Sequence, residues 1–194
     1  MSAYEQFASF LRAWTAVPDR ELAKAAEIFQ PAAVPRGTIF LHAGEIPQTI
    51  SFIVSGLARL YYIEPSGLER TKAFRLENQF VCAYSALLRG EPSRLFIQML
   101  EPSSLLIAPY QAYQRLAAGH VCWQQVSLKI AEWLYVEQEQ RQSELLLDDA
   151  TTRYLKFLAE YPGLTTRVKQ LHIASYLGIT PVSLSRIRAQ LSNS

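Results

Sequence analysis

The fold is decided by residues 170–188, which read QLHIASYLGITPVSLSRIR. A short helix is predicted before Gly178, because glycine tolerates the positive φ of a tight turn. A second helix is predicted after the turn, since Thr180 is a good N-cap residue and Pro181 costs nothing at the first helical position. Small Ala174 lies where two steeply crossed helices come closest. The pattern predicts a helix-turn-helix, whose second helix enters the major groove of DNA.

The apolar residues of this unit are expected to form its core. They are Leu171, Ile173, Ala174 and Leu177 on the first helix, Ile179 in the turn, and Leu184, Ile187 and Leu191 on the second helix. The alternative interpretation is a helical hairpin with a regular turn that does not bind DNA.

The outer face of the second helix, residues 181–191, carries groups that can read DNA. Arg186 can bind the edge of a guanine with two hydrogen bonds, Ser183 can donate or accept one, and Val182 can touch a thymine methyl. Ser185 is predicted on the same exposed face. Phosphate contacts, which give affinity without reading the sequence, are expected from three further basic residues: Arg167, Lys169 and Arg188.

Basic charge is concentrated in this part of the chain. From Ala150 onward six basic residues accompany one acidic residue, a balance of +5, whereas the whole chain carries +2 and its remainder therefore −3. A basic tail on a mildly acidic body is typical of a segment that meets a polyanion. A chance imbalance is the alternative.

The middle of the chain, residues 33–108, is rich in β-branched and aromatic residues and is divided by regular turn signals. Short strands at such spacing indicate an antiparallel sandwich or barrel. The predicted strands span residues 38–41, 49–54, 58–63, 70–75, 96–100 and 105–108. Before them, residues 3–29 predict two helices separated at Pro18, the second capped by Asp19.

A long helix is predicted over about residues 121–147. Its first half is apolar nearly all round, whereas a surface helix shows a single apolar stripe. We expect the β domain to cover one side and a second copy of the chain, in a two-fold dimer, to cover the other; burial within a monomer is the alternative. The polar segment 137–144 is expected to be solvated. Two domains are predicted, residues 1–147 and residues 148–194, the second opening on a helix capped by Asp148 or Asp149.

Composition argues against several classes of protein. Among the 194 residues no apolar run approaches the ~18 that a membrane helix needs, and the start of the chain does not read as a secretory signal. We therefore expect a cytoplasmic protein without a membrane partner. Cys82 and Cys122 form neither a disulfide framework nor a metal set.

An enzyme is not predicted either. The motifs of Ser-His-Asp, P-loop and dinucleotide-binding chemistry are missing. A cupin-type enzyme would need several histidines and a carboxylate as metal ligands, and His42 with Glu45 is the only histidine and carboxylate pair close in sequence. The sequence thus predicts no catalytic residue, no metal and no cofactor.

The order of β domain, long helix and helix-turn-helix resembles the Crp/Fnr family of bacterial transcription regulators. Residues 51–62 (SFIVSGLARLYY) and 173–180 (IASYLGIT) carry the resemblance, which covers about residues 20–191. It implies an α+β fold: an antiparallel jelly roll like a cyclic-nucleotide-binding domain with flanking helices, a long dimerisation helix, and a small all-α helix-turn-helix domain. A β wing, common in the family, does not fit the short segments around this unit.

The resemblance also implies where an effector would bind. Nucleotide-binding members carry a Phe-Gly-Glu-Leu segment whose Glu accepts the ribose hydroxyl, and an Arg further along that holds the phosphate. The matching segment here is FVCAYS, residues 80–85, so Ala83 replaces the Glu, and Arg94 lies slightly past the phosphate position. The implied effector pocket consists of Cys82, Ala83, Tyr84, Ser85, Ser93 and Arg94. Without the carboxylate we do not expect cyclic AMP to bind. The alternative to a phosphate-binding role for Arg94 is a salt bridge with an acidic residue of the protein.

The sequence therefore predicts a dimeric DNA-binding transcription regulator. Its expected partners are double-stranded DNA, a second copy of the chain and an unidentified small-molecule effector. The alternative is a module for a cyclic nucleotide or another small molecule, with a helical tail that does not bind DNA.

Overall fold

The structure is a computed structural model and describes residues 1–192. Asn193 and Ser194, which the predicted second domain includes, lie outside the described residues. The helices are α1 Ala3–Trp14, α2 Asp19–Ile28, α3 Tyr84–Arg89, α4 Tyr110–Gly119, α5 Val121–Leu147, α6 Ala150–Glu160, α7 Leu164–Arg167, α8 Gln170–Leu177 and α9 Pro181–Ser192. The strands are β1 Gln30–Val34, β2 Ile39–Leu41, β3 Thr49–Ser55, β4 Ala58–Ile63, β5 Glu69–Arg75, β6 Phe80–Val81, β7 Phe96–Met99 and β8 Ser103–Pro109.

The strands form two four-stranded sheets, which confirms the predicted β domain. One sheet has the order β1-β8-β3-β6 and the other β2-β7-β4-β5. The central pair of the first sheet is antiparallel, with Ile50 opposite Ala108. All six predicted strands are present within a few residues, whereas β1 and β6 were not predicted.

The two N-terminal helices also form as expected, except at one cap. Pro18 is the N-cap of α2 and makes no side-chain hydrogen bond, so the prediction that Asp19 caps this helix is wrong; Asp19 is its first residue. The apolar face of α1 lies on the first sheet, where the ring of Phe7 is 4.9 Å from that of Phe52. Aromatic contacts of this kind anchor the helix on the β domain.

The chain divides into two compact units. The first contains residues 1–60 and 74–133, and the second contains residues 61–73 and the chain from residue 134 onward. The changeover lies inside α5, after Trp133, and the tip of the β4–β5 hairpin belongs to the second unit. The predicted domain boundary after residue 147 stays a prediction.

The long helix α5 begins at Val121 and ends at Leu147, as predicted. Beyond it the described chain contains helices α6 to α9 and no strand. Asp149 caps α6 by accepting the backbone N–H of Thr152 at 2.7 Å. Across residues 1–192, none of the helices has the length and apolar character required to span a bilayer.

Candidate functional site

The turn between α8 and α9 has the geometry that its sequence predicts. Gly178 adopts a left-handed conformation with φ of +70°, and the next amide, of Ile179, donates to the carbonyl oxygen of Ala174 at 3.0 Å. Thr180 then caps α9, because its Oγ1 accepts the backbone N–H of Ser183 at 3.1 Å. The turn therefore fixes where α9 begins and which of its faces meets α8.

The core between these helices is built mainly from the expected residues. Ile173, Ala174 and Leu177 of α8 are buried with Leu184 and Ile187 of α9. Two predicted core residues are instead exposed, Leu171 and Leu191. Both lie in a terminal turn of their helix, where fewer neighbours are available to cover them.

Tyr176 is a core residue that the sequence analysis missed. Its ring packs against those of Phe157 and Tyr161, with centroids 5.6 and 6.1 Å away. Burial raises the pKa of Tyr176 to about 12. The signal for this residue was its spacing of three from Ile173, which places both side chains on one face of α8.

The outward face of α9 carries most of the residues predicted to read DNA. Val182, Ser185 and Arg186 are exposed. Ser183 is half-buried, and its hydroxyl lies 2.9 Å from that of Thr180, so part of its hydrogen-bonding capacity is used within the cap. No ion pair involving Arg186 occurs in the described part of the chain. Its guanidinium is therefore available to a ligand.

The predicted phosphate-binding residues lie on three consecutive helices of the second unit. Arg188 is exposed on α9, and Lys169 is exposed at the N-cap of α8. Arg167, the last residue of α7, is half-buried and has a partner within the protein. Two of the three cations, Lys169 and Arg188, are therefore exposed, and the third, Arg167, is partly engaged within the protein.

Two other basic residues of this unit have partners within the protein. Arg153 Nε donates to the carbonyl oxygen of Leu177 at 3.0 Å, and its Nη1 donates to that of Asp148 at 2.6 Å. Lys156 Nζ pairs with Asp148 Oδ2 at 2.6 Å. Arg153 therefore stabilises α6 and the end of α8, whereas the Lys156 side chain stays about half exposed.

The polar end of α5 was predicted to be solvated, and for two residues this is wrong. The side chains of Arg141 and Glu144 are largely buried, and Arg141 Nη1 lies 3.4 Å from Glu144 Oε2. The Arg141 guanidinium stacks 4.2 Å from the centre of the Tyr176 ring and also donates to the backbone oxygen of Tyr176. Because Tyr176 belongs to α8, these contacts tie the helix-turn-helix to α5 inside the second unit.

The residues predicted for an effector pocket do not all meet. Cys82 and Ala83 line a cavity of about 330 Å³ whose other walls are largely apolar. Phe40, Leu41, Ile46, Pro47 and Ile97 are among them. Tyr84 and Ser85 open α3 but do not line this cavity.

Ser93 and Arg94 also lie outside the cavity lining. Ser93 is buried, and its hydroxyl donates to the carbonyl oxygen of Leu95 at 3.0 Å, which is a structural role. Arg94 is exposed, and no ion pair is found for it within residues 1–192. The salt bridge considered for Arg94 is therefore not formed in the described chain.

Comparison with known proteins identifies the β domain. Residues 31–120 match the family model of the cyclic nucleotide-binding domain. Among curated protein sequences, none matches the chain.

Several solved structures share the whole fold. FixK2 from Bradyrhizobium japonicum superposes with a TM-score of 0.76 at 19% identity, covering 86% of this chain and 85% of its own. The c-di-GMP-responsive global regulator CLP of Xanthomonas campestris superposes with a TM-score of 0.72 at 15% identity, covering 91% of this chain and 92% of its own. A protein from Eubacterium rectale, described as a transcriptional regulator of the Crp/Fnr family, superposes with a TM-score of 0.73 at 14% identity. The match covers 95% of this chain and 88% of that protein. The resemblance drawn from the sequence is confirmed: the chain has the fold of the Crp/Fnr-type regulators.

Proposed function

We propose that the chain is a dimeric transcription regulator that binds double-stranded DNA through α9. The observation that carries the proposal is the outward face of α9, where Arg186 is exposed beside Val182 and Ser185 on a helix whose start is fixed by the cap at Thr180. A helix presented in this way fits the major groove, and an unpaired guanidinium suits a guanine edge.

The long helix supplies the argument for a dimer. Val121, Leu128 and Tyr135 follow one another at intervals of seven residues, and their exposed fractions are 58%, 57% and 68%. Residues seven apart share one face of a helix, so these side chains form an apolar stripe. On the other side of the same helix Trp123, Val126 and Ile130 are buried in the first unit. In a two-fold dimer this stripe would pack against the same stripe of a second chain, and both would be removed from water.

The arrangement of a dimer sets what the DNA must look like. Two recognition helices related by a two-fold axis contact half-sites roughly 34 Å apart, one turn of the duplex. The expected operator is therefore nearly palindromic. Because only a few exposed cations flank α9, we expect modest affinity from each half and a strong contribution from engaging both.

The β domain supplies the regulatory input in this proposal, but not through cyclic AMP. Ala83 offers no carboxylate to a ribose hydroxyl, and Arg94 does not line the cavity that Ala83 borders. A small molecule that bound this domain would act by shifting the population of chains between states that do and do not bind DNA.

The DNA-binding role is tested by Arg186→Ala on DNA from the gene's own promoter region at fixed salt. We expect binding to weaken about 5- to 150-fold, which corresponds to the loss of one bidentate base contact. Arg115→Ala, which removes an exposed arginine of α4, is the matched control and should leave binding unchanged.

Arg188→Ala separates base reading from phosphate contact. It should weaken binding to all DNA sequences alike. The slope of the logarithm of the binding constant against the logarithm of the salt concentration should also become shallower by about one. Equal binding by the native chain and Arg186→Ala would refute the role of α9 assigned here. Tight binding of a small molecule without any DNA binding would favour a ligand-binding module instead.

A further inference from the structure

Two segments that are distant in sequence meet at the start of the long helix. Glu21 lies in α2, His120 separates α4 from α5, and Cys122 is the second residue of α5. Each offers an atom that can bind a metal ion, and these atoms lie within 4.8 Å of one another. All three belong to the first unit, away from the helix-turn-helix in sequence.

The carboxylate of this cluster is buried and held in place. Glu21 is only 2% exposed, and Trp123 Nε1 donates to its Oε2 at 3.2 Å. Lys24 Nζ donates to the other oxygen at 2.8 Å, but that lysine side chain is more than half exposed and can turn to water. A carboxylate accepts up to about four hydrogen bonds or metal contacts, so both oxygens keep a lone pair for a further ligand.

The thiol and the imidazole complete the set from one short segment. Cys122 is 1% exposed, and the thiol is not part of a disulfide. His120 Nδ1 accepts the backbone N–H of Cys122 at 3.2 Å, a long bond that holds the ring at the first turn of α5. A metal ion on this nitrogen would replace that bond and leave Nε2–H to donate outward, as is usual for metal-bound histidine.

We propose that Glu21, His120 and Cys122 form a binding site for a divalent transition-metal ion of the zinc type. One oxygen, one nitrogen and one sulfur ligand are the donors that Zn²⁺ accepts, and three protein ligands leave a fourth position for water. Ligand atoms around tetrahedral zinc lie about 3.3 to 3.8 Å apart, so side-chain movements of roughly 1 Å close the site. The thiol proton passes to solvent as the thiolate binds the ion.

The site would have a structural consequence that is independent of DNA binding. A bound ion links α2 to the first turn of α5, within the first unit. The Trp123 indole, adjacent to a ligand in sequence and bonded to another in space, serves as a positioning residue for the Glu21 carboxylate. The close pair His120 and Cys122 is the one local signal of this cluster, because Glu21 comes from about a hundred residues earlier and no spacing links it to them.

The test is titration of the full-length, reduced protein with Zn²⁺ by calorimetry and with Co²⁺ by absorption spectroscopy. We expect one ion per chain and, with Co²⁺, a sulfur-to-metal charge-transfer band. Cys122→Ser should abolish the band, and both Cys122→Ser and Glu21→Gln should lower affinity tenfold or more. Trp123→Phe should keep the band and lower affinity about tenfold, because the hydrogen bond that orients the Glu21 carboxylate is lost.

Two matched controls and a second readout make the result decisive. Cys82→Ser and His42→Gln remove the same chemical groups elsewhere in the first unit and should bind as the native chain does. Should Cys122→Ser fail to fold, His120→Asn removes the imidazole while keeping a side chain that caps helices well. Saturating Zn²⁺ should raise the melting temperature of the native chain and of Cys82→Ser but not of His120→Asn. Absence of Zn²⁺ binding by the native chain, or an undiminished Co²⁺ band in Cys122→Ser, would overturn the proposal.

Discussion

The side-chain oxygen of Ser175 lies 2.9 Å from the backbone nitrogen of Thr71 and accepts its hydrogen. The same hydroxyl donates to the carbonyl oxygen of Glu69, also at 2.9 Å. A single group on α8 therefore binds two backbone groups near the tip of the β4–β5 hairpin. Since α8 is the first helix of the helix-turn-helix, the hairpin tip and the proposed DNA-binding element are joined within the second unit.

Ser175→Ala should lower the free energy of unfolding by about 1–3 kcal/mol, because two hydrogen bonds are lost and one of them is partly buried. Urea unfolding measures this change, and hydrogen exchange should become faster at the Thr71 amide. Ser185→Ala, which alters an exposed serine of α9, should do neither. Unaltered stability and exchange in Ser175→Ala would show that the contact contributes nothing.

Arg153→Met should destabilise the protein by about 1.5–3 kcal/mol. It keeps an apolar stem but removes the charged donor that binds the backbone oxygens of Leu177 and Asp148. Lys156→Met is the control, because the Lys156 side chain is about half exposed and an ion pair that is open to solvent on one side contributes little. Thermal melting of both variants gives the comparison, and an equal effect of the two would contradict the role assigned to Arg153.

Asp149 makes stability depend on pH. The backbone N–H of Thr152 donates to this carboxylate and holds its pKa below the ordinary 3.8. A carboxyl with a lowered folded-state pKa stabilises the protein above its unfolded pKa, and this contribution is lost as the pH falls through the folded value. Asp149→Ala should therefore be less stable than the native chain at pH 7, and the gap should close at strongly acidic pH.

Asp149→Asn separates the charge from the cap. Asparagine caps a helix about as well as aspartate but does not titrate. This variant should stay close to the native chain at neutral pH and lack the acid-dependent loss. A gap between the native chain and Asp149→Ala that is the same at every pH would contradict the assignment.

Leu128→Glu should weaken the proposed dimer more than tenfold, or about 1.4 kcal/mol. The substitution places a charge in the apolar stripe of α5, which in a dimer would face its own copy. Sedimentation equilibrium of the native chain and the variant measures the change. Gln140→Glu adds the same charge on the polar part of α5 and should leave the association unchanged.

Elements with strong local signals could be predicted from sequence alone. The bounds of α5 match because its flanking glycine and its continuous pattern fix both ends, and the α8–α9 turn matches because Gly178, Thr180 and Pro181 each favour one local conformation. Side-chain environments were harder to predict. Arg141 lies in a polar run that indicates a solvated helix, yet it is largely buried against Tyr176. Only the fold brings α8 to that face of α5.

The gaps in the predicted functional sites have the same physical origin. The exposed face of α9 follows from helical periodicity, so most of its residues lie where the sequence places them. The effector residues were assigned by alignment to a family pattern, and the cavity contains Cys82 and Ala83 but not Ser93 or Arg94. The cluster around Glu21 depends on contacts between segments that are far apart in sequence, which periodicity cannot detect.

One of the two strands that were not predicted, β1, contains Pro31, which pairs with Leu106 at the outer edge of the first sheet. Proline within a run argues against a strand, but an edge strand tolerates it because its outer side needs no partner. With no amide hydrogen at this position, the edge presents an interrupted template to any passing polypeptide. Pairing of this edge with the edge of another sheet, which is one route to insoluble aggregates, is thereby disfavoured.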